Sequence, residues 1–217
     1  MLDKSLAFKH VIMRIEPPRV AEPMDIRLPD GFSFRFFSPA DAAADVKHWA
    51  SIETSVLEFA SEEEAGNYFK KSYLPFSHEL QRRLLFIQNP EGLPIATSNA
   101  WYADSHLGYQ AVVNWVGVRP EYQGKGLGKA IVQKTLEVFR QIEPGKPVWL
   151  HTQTWSYPAI KLYHKLGFNM VKTDTLANMN SRDGVPKVYT SEFTEAIEVL
   201  KAAIDDDYID ILASTAV

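Results

Sequence analysis

The chain has 217 residues, 46% of them hydrophobic and 23% charged, a length and balance that suit one globular domain and leave no room for two ordinary enzymes. Its 27 acidic and 23 basic residues give a net charge of -4, which supplies no general basic footprint for nucleic acid, and no apolar run reaches the roughly 20 residues of a membrane span. The absence of cysteine excludes disulfides, thiolate metal ligands and a cysteine nucleophile.

In chain order, "MLDKSLAFKHVIMRIEPP" breaks its apolar stretches with Lys9, His10 and Arg14 and has no small-residue cleavage pattern, so the expectation is a cytoplasmic protein without a signal peptide. Residues 1–30 read as an N-terminal extension carrying a short strand, "HVIMRI", and a Pro-rich connector. Asp30-Gly31 between two alternating segments predicts a hairpin. Ser38, Pro39 and Asp41 mark a helix start, and Ser61 with Glu64 has the spacing of a capping box, while Pro75 divides the helical stretch beyond it. "LLFIQ", "LPIATSNAWY" and "QAVVNWVGV" then predict three antiparallel strands joined by tight connections. From Leu127, the stripe Ile131, Thr135, Val138 and Ile142 opposite Gln133, Glu137 and Arg140 predicts an amphipathic helix. A strand, "PVWLHTQT", a helix capped by Ser156 and stopped by Gly167, a closing strand pair ("FNMVKT", "PKVYTSEF") and a helix with an acidic, frayed end complete the chain.

The segment "PEYQGKGLGKA" sits between the third of those strands and the amphipathic helix. A nucleotide P-loop needs four residues between its first glycine and Gly-Lys-Ser/Thr, yet Gly124 and Gly128 enclose three and Lys129 precedes Ala130. The dinucleotide fingerprint needs a further glycine three residues on, where Lys129 or Ile131 stands. What remains is Gln123-x-x-Gly126-x-Gly128, whose small residues let backbone N–H groups and a helix N-terminus converge on a pyrophosphate. Lys125 and Lys129 add screened attraction. Hydrolase motifs are missing: there is no Gly-x-Ser-x-Gly, and "HELQR" lacks the second histidine of a zinc-protease helix.

The string "VNWVGVRPEYQGKGLGKAIV" resembles the coenzyme A signature of the GNAT (Gcn5-related N-acetyltransferase) superfamily, and "TWSYPAIKLYHKLGF" resembles its second signature, in the right order and with a helix and a strand between them. The resemblance implies an α+β GNAT fold: a central, mostly antiparallel twisted sheet with a splayed strand pair and helices on both faces. It implies a domain over residues 31–190, with a C-terminal helical tail over 191–217. It further implies acetyl transfer from acetyl-coenzyme A, without metal, to a small-molecule or peptide amine by direct attack in a ternary complex. Nucleic acid and membrane partners are not expected, and a homodimer is common in the family.

By that resemblance the backbone of Val116, Gly117 and Val118 pairs with the pantetheine arm. Gln123, Gly124, Lys125, Gly126, Leu127, Gly128 and Lys129 meet the pyrophosphate, and Tyr163 lies near the sulfur as general acid or thiolate stabiliser. Ser156 stands where many relatives carry a cofactor-binding asparagine. The general base stays open: Asn114 cannot accept a proton, His151 has a suitable ordinary pKa, and Glu53, Glu58 and Glu121 also stand near the expected site. Trp101, Tyr102, Trp115 and Trp155 supply aromatic surface to the cleft or to the core. A coenzyme A-binding module without turnover, or transfer of a longer acyl group, fits the same motifs.

Overall fold

The computed structural model describes residues 2–180 and 185–217. Its central sheet has seven strands. Four of them, β2 (Ser33–Phe36), β3 (Leu84–Gln88), β4 (Pro94–Ser105) and β5 (Gly108–Val118), form an antiparallel run in that order. β6 (Val148–Gln153) joins β5 in parallel, and the sheet continues through β1 (His10–Ile15) to the short β7 (Asn169–Met170), both added antiparallel. A separate hairpin pairs β8 (Thr175–Asn178) with β9 (Lys187–Thr190).

Strand alternation decides which helices cover which face. Leu85, Ile87, Met13 and Leu150 face a core shared with α5 (Leu127–Ile142), α6 (Tyr157–Lys165), α7 (Phe193–Leu200) and α8 (Asp206–Ser214). Leu84, Phe86 and Trp101 face α2 (Ala42–Ser55), α3 (Glu62–Ser72) and α4 (Ser77–Arg83). On that same side, Ala103, Val112, Trp149 and Ile12 pack under β8, with Tyr189 of β9 against them. One more short helix, α1 (Pro17–Ala21), comes after β1.

The three central strands, the 16-residue α5 and the Ser61 cap of α3 form as the sequence predicts: Ser61 Oγ accepts from Glu64 N–H at 3.1 Å, while Glu64 Oε2 reaches one residue past the N-cap to accept from Ala60 N–H at 3.1 Å. Several local expectations do not hold. No hairpin forms across Asp30-Gly31, because β2 pairs with β3 and the segment before the turn ends in Pro29, which has no N–H to give a ladder. Ser38 and Ser156 do not cap through their side chains; Ser38 Oγ donates to Asp41 at 3.0 Å, and Ser156 Oγ accepts from Gln153 Nε2 at 3.4 Å. The two closing segments do not pair with each other: β7 pairs with β1, whereas β9 pairs with β8. The strand at residues 10–15, predicted as part of an appendage, therefore lies inside the sheet. Lastly, the tail is two helices, with Asp205 of the acidic run capping α8 by accepting from Tyr208 N–H at 3.0 Å, while Ile209 and Leu212 are buried in the main core.

Candidate active site

β5 and β6 keep register only over Ala111–Val148, Val112–Trp149 and Val113–Leu150; beyond that pair the two strands part. Against β4, β5 also slips: Thr97 faces Gly117 and Asn99 faces Asn114, so Trp115 and Val116 together oppose Ser98 in a bulge, with Trp115 at φ 54. The bulge turns the far half of β5 away from β6 and opens a cleft of about 450 Å³ through the sheet. Asn114 and His151, the first residues past the last paired position, stand on either side of its mouth.

Several sequence-predicted residues meet in this cleft: Val116, Ser156 and Tyr163, with His151, Glu53 and Glu58 around them. Gly117 is buried under α2, where an added Cβ would lie 2.9 Å from both Glu53 Oε1 and Ile52 Cγ2, so only glycine lets this buried carboxylate rest against the strand. Burial pushes the Tyr163 phenol well above its ordinary pKa, and the charges of Glu53 and Glu58 push the same way. At neutral pH Tyr163 therefore keeps its proton.

At the end of β5 the glycine segment runs into α5. Gln123 is exposed and its Nε2 donates to Val118 O at 2.9 Å, closing the loop on itself. Gly124 and Gly126 both adopt φ 78, and a Cβ at either would meet open space within 4 Å. Gly126 is the N-cap of α5 and offers no side chain to its first N–H groups. Lys125 and Lys129 are exposed, Lys125 with its Nζ 5.4 Å from the Tyr122 ring centre. Leu127 is buried in the main core and anchors the helix start, leaving only its backbone toward the loop, and Gly128 approaches Leu162 of α6. An exposed, left-handed glycine loop at the N-terminus of a four-turn helix fits a pyrophosphate group. Glu121 belongs to this loop and does not line the cleft.

The profile of the Acetyltransferase (GNAT) family matches residues 47–168, more than half of the chain. The chain belongs to the GNAT acetyltransferase family. Among curated proteins, this GNAT chain is 30% identical over 161 residues to a mycothiol acetyltransferase of Arthrobacter sp. (strain FB24), an alignment covering 72% of the chain and 48% of the relative. The GNAT chain thus spans about half the length of that relative. In fold it is similar to a GCN5-related N-acetyltransferase from Sphaerobacter thermophilus, with TM-score 0.57 and 19% identity over 76% of this chain and 49% of that one. A GNAT-family acetyltransferase from Colwellia psychrerythraea gives TM-score 0.54 and 14% identity over 76% and 54% of the two chains.

The GNAT cleft also contains residues that the motifs did not single out. Tyr73, wholly buried, lines the cleft and accepts a hydrogen bond from Trp115 Nε1 at 2.8 Å, fastening the bulge to the segment after α3. Burial raises its pKa to about 12 against the opposing hydrogen bonds of Tyr68, Trp115 and Asn114. His10, from β1, lies 2.9 Å from His151 through Nδ1 and Nε2. Asn180 ties the β8 hairpin to the helical arm, accepting from Trp101 Nε1 at 3.1 Å and donating to Ser72 O at 2.8 Å. No local pattern carries Tyr73 or Asn180, and His10 precedes the stretch that resembles the family. Among the described residues, no group of three or more histidine, cysteine or acidic side chains is placed to hold a metal, and no helix is long and apolar enough to cross a membrane.

Proposed function

We propose that this acetyltransferase moves an acetyl group from acetyl-coenzyme A to a primary amine by direct attack in a ternary complex. The observation that carries the reading is the parting of β5 and β6 after Val113–Leu150, on a line that leads to the glycine loop and the N-terminus of α5. In this reading the N–H groups of residues 123–129 hold the pyrophosphate, and the β5 edge at Val116–Val118 pairs with the amides of the pantetheine arm. Ser156, at the cleft wall, is a further contact for the donor.

The chemistry assigns roles to the chain's own groups. The acceptor must be neutral at nitrogen before it attacks, so the cleft must take one proton from an ammonium. A backbone N–H at the Trp115–Val116 bulge stabilises the oxygen of the thioester carbonyl as it becomes negative. Tyr163, held protonated, donates to the leaving sulfur.

The direct test mixes the protein with acetyl-coenzyme A and a panel of small amines, sugar amines and peptides, and follows free thiol; with no cysteine in the chain, the protein adds no thiol of its own. Release that depends on one acceptor class is the expected result. Tight donor binding with no release across the panel would instead describe a coenzyme A-binding module.

A further inference from the structure

We propose that His10 and His151 act as a two-imidazole relay that carries the acceptor's proton out of the cleft. The relay rests on the acetyl-transfer reading and supplies the proton acceptor that the sequence leaves open.

The geometry begins with His151. It comes directly after Leu150, the last residue of β6 paired with β5, and so stands at the mouth of the parting opposite Asn114. Both line the cleft on the side of the β8 hairpin, and His151 is mostly covered, with a minor part of its surface left exposed. Its Nε2 meets His10 Nδ1 at 2.9 Å, a contact that requires one ring to donate and the other to accept. Tyr189 stacks on His151 with ring centres 4.1 Å apart and planes within 7°, and lies 4.9 Å from His10, so both rings are held in one orientation. Glu192 Oε2 accepts from His10 N–H at 2.7 Å, fixing the start of β1. His10 also lines the cleft and is itself partly exposed.

Protons balance along the pair. His151 Nδ1 takes a proton from the acceptor's ammonium, directly or through one water, while its Nε2–H passes to His10 Nδ1. The His10 Nε2–H then leaves to water. The acceptor becomes a neutral amine, water gains one proton, and exchange with water resets the two tautomers. Burial, and after it the influence of His10, lowers the His151 pKa to about 3, so His151 holds the charge only in transit and is empty of its extra proton at neutral pH. The charged and titratable groups around the pair are Lys9 and Glu192 beside His10, Tyr189 and Lys187 from β9, and Lys4, Glu53, Glu58, Tyr68, Tyr73, Tyr102 and Tyr163 along the cleft. Lys9 is itself paired with Glu192 at 2.8 Å.

The test measures turnover against pH for wild type, H151Q and H10Q, using the best amine of the thiol-release panel. Glutamine keeps hydrogen bonding and cannot relay a proton. H151Q is expected to lose roughly 100-fold or more at pH 7, with donor affinity unchanged, and to recover toward wild type as pH approaches the acceptor's own pKa. H10Q should show a smaller loss with the same recovery. A purely structural histidine would lower turnover by one factor at every pH, and that result, or no loss at pH 7, overturns the relay. If the wild type acylates no amine, acetyl transfer to an amine fails first and the relay falls with it. A second reading is independent of turnover: nitrogen NMR of the free protein should show one proton shared between His151 Nε2 and His10 Nδ1. Two unprotonated nitrogens at those positions would overturn the relay by themselves.

Discussion

At Tyr163 a helical stripe and the proposed chemical role coincide. Tyr163 and Leu166 are buried in the ordinary way of an amphipathic helix, with Ala159 and Leu162 packed beside them, yet Tyr163 also reaches the cleft, where burial and two nearby carboxylates keep its phenol protonated. Tyr163→Phe keeps the ring and removes the proton, so donor affinity measured by calorimetry should hold while turnover falls by roughly 10- to 10,000-fold. Unchanged turnover would end the assignment. Gly117 makes a second, structural prediction. Because a Cβ there would lie 2.9 Å from Ile52 and Glu53, Gly117→Ala should displace α2 and cost about 1–3 kcal/mol in urea denaturation, with weaker turnover as the cleft wall shifts.

The decisive elements are the β5 bulge and the loop at the end of that strand. The bulge opens the cleft, and the glycines after it let the chain enter α5 with its first N–H groups pointing outward. Gly126→Asp places a carboxylate and a Cβ at a left-handed position, so donor binding should weaken through charge repulsion and roughly 1–2 kcal/mol of backbone strain. Wild-type affinity in a folded variant would remove the loop from the site. The bulge has no local signal, being a slip in the pairing of β5 with β4, but β5, α5 and the loop were legible in sequence because theirs are local: alternation for the strand, a 3.6-residue stripe for α5 and glycine spacing for the loop. The place of β1 was not. "HVIMRI" announces a strand, but only long-range packing decides that Met13 pairs with Leu150 on one side and Met170 on the other. The His10–His151 contact depends on that placement.

For the whole molecule, ionisable groups shifted by partial burial and by charged partners shape the response to acid. His151 has a folded pKa of about 3 against an ordinary 6.5, so between those values the unfolded chain binds a proton that the folded chain does not. Stability should fall as pH drops from about 6.5 toward 3. Glu79 acts in the same direction at lower pH. Burial alone would raise its pKa, but hydrogen bonds from Arg82 and Arg83 bring it down to about 2, so its contribution is present above its ordinary value near 4.5 and is lost as pH falls toward 2. Arg83 extends that network inward to Glu143 at 2.9 Å and Ala100 O at 2.9 Å, beneath the β4–β5 hairpin. Denaturation midpoints measured from pH 7 to 4 should decline in the wild type and decline less in H151Q; parallel curves would show that His151 binds its proton equally in both states. Whether the parted strands hold donor and acceptor together is best decided by a crystal structure with a bisubstrate analogue joining coenzyme A to an amine. Its pyrophosphate should lie on the N–H groups of residues 123–129, its pantetheine arm along Val116–Val118, and its amine between Asn114 and His151. An analogue bound with its amine away from that mouth, or with its pyrophosphate off the α5 N-terminus, would contradict the proposed arrangement.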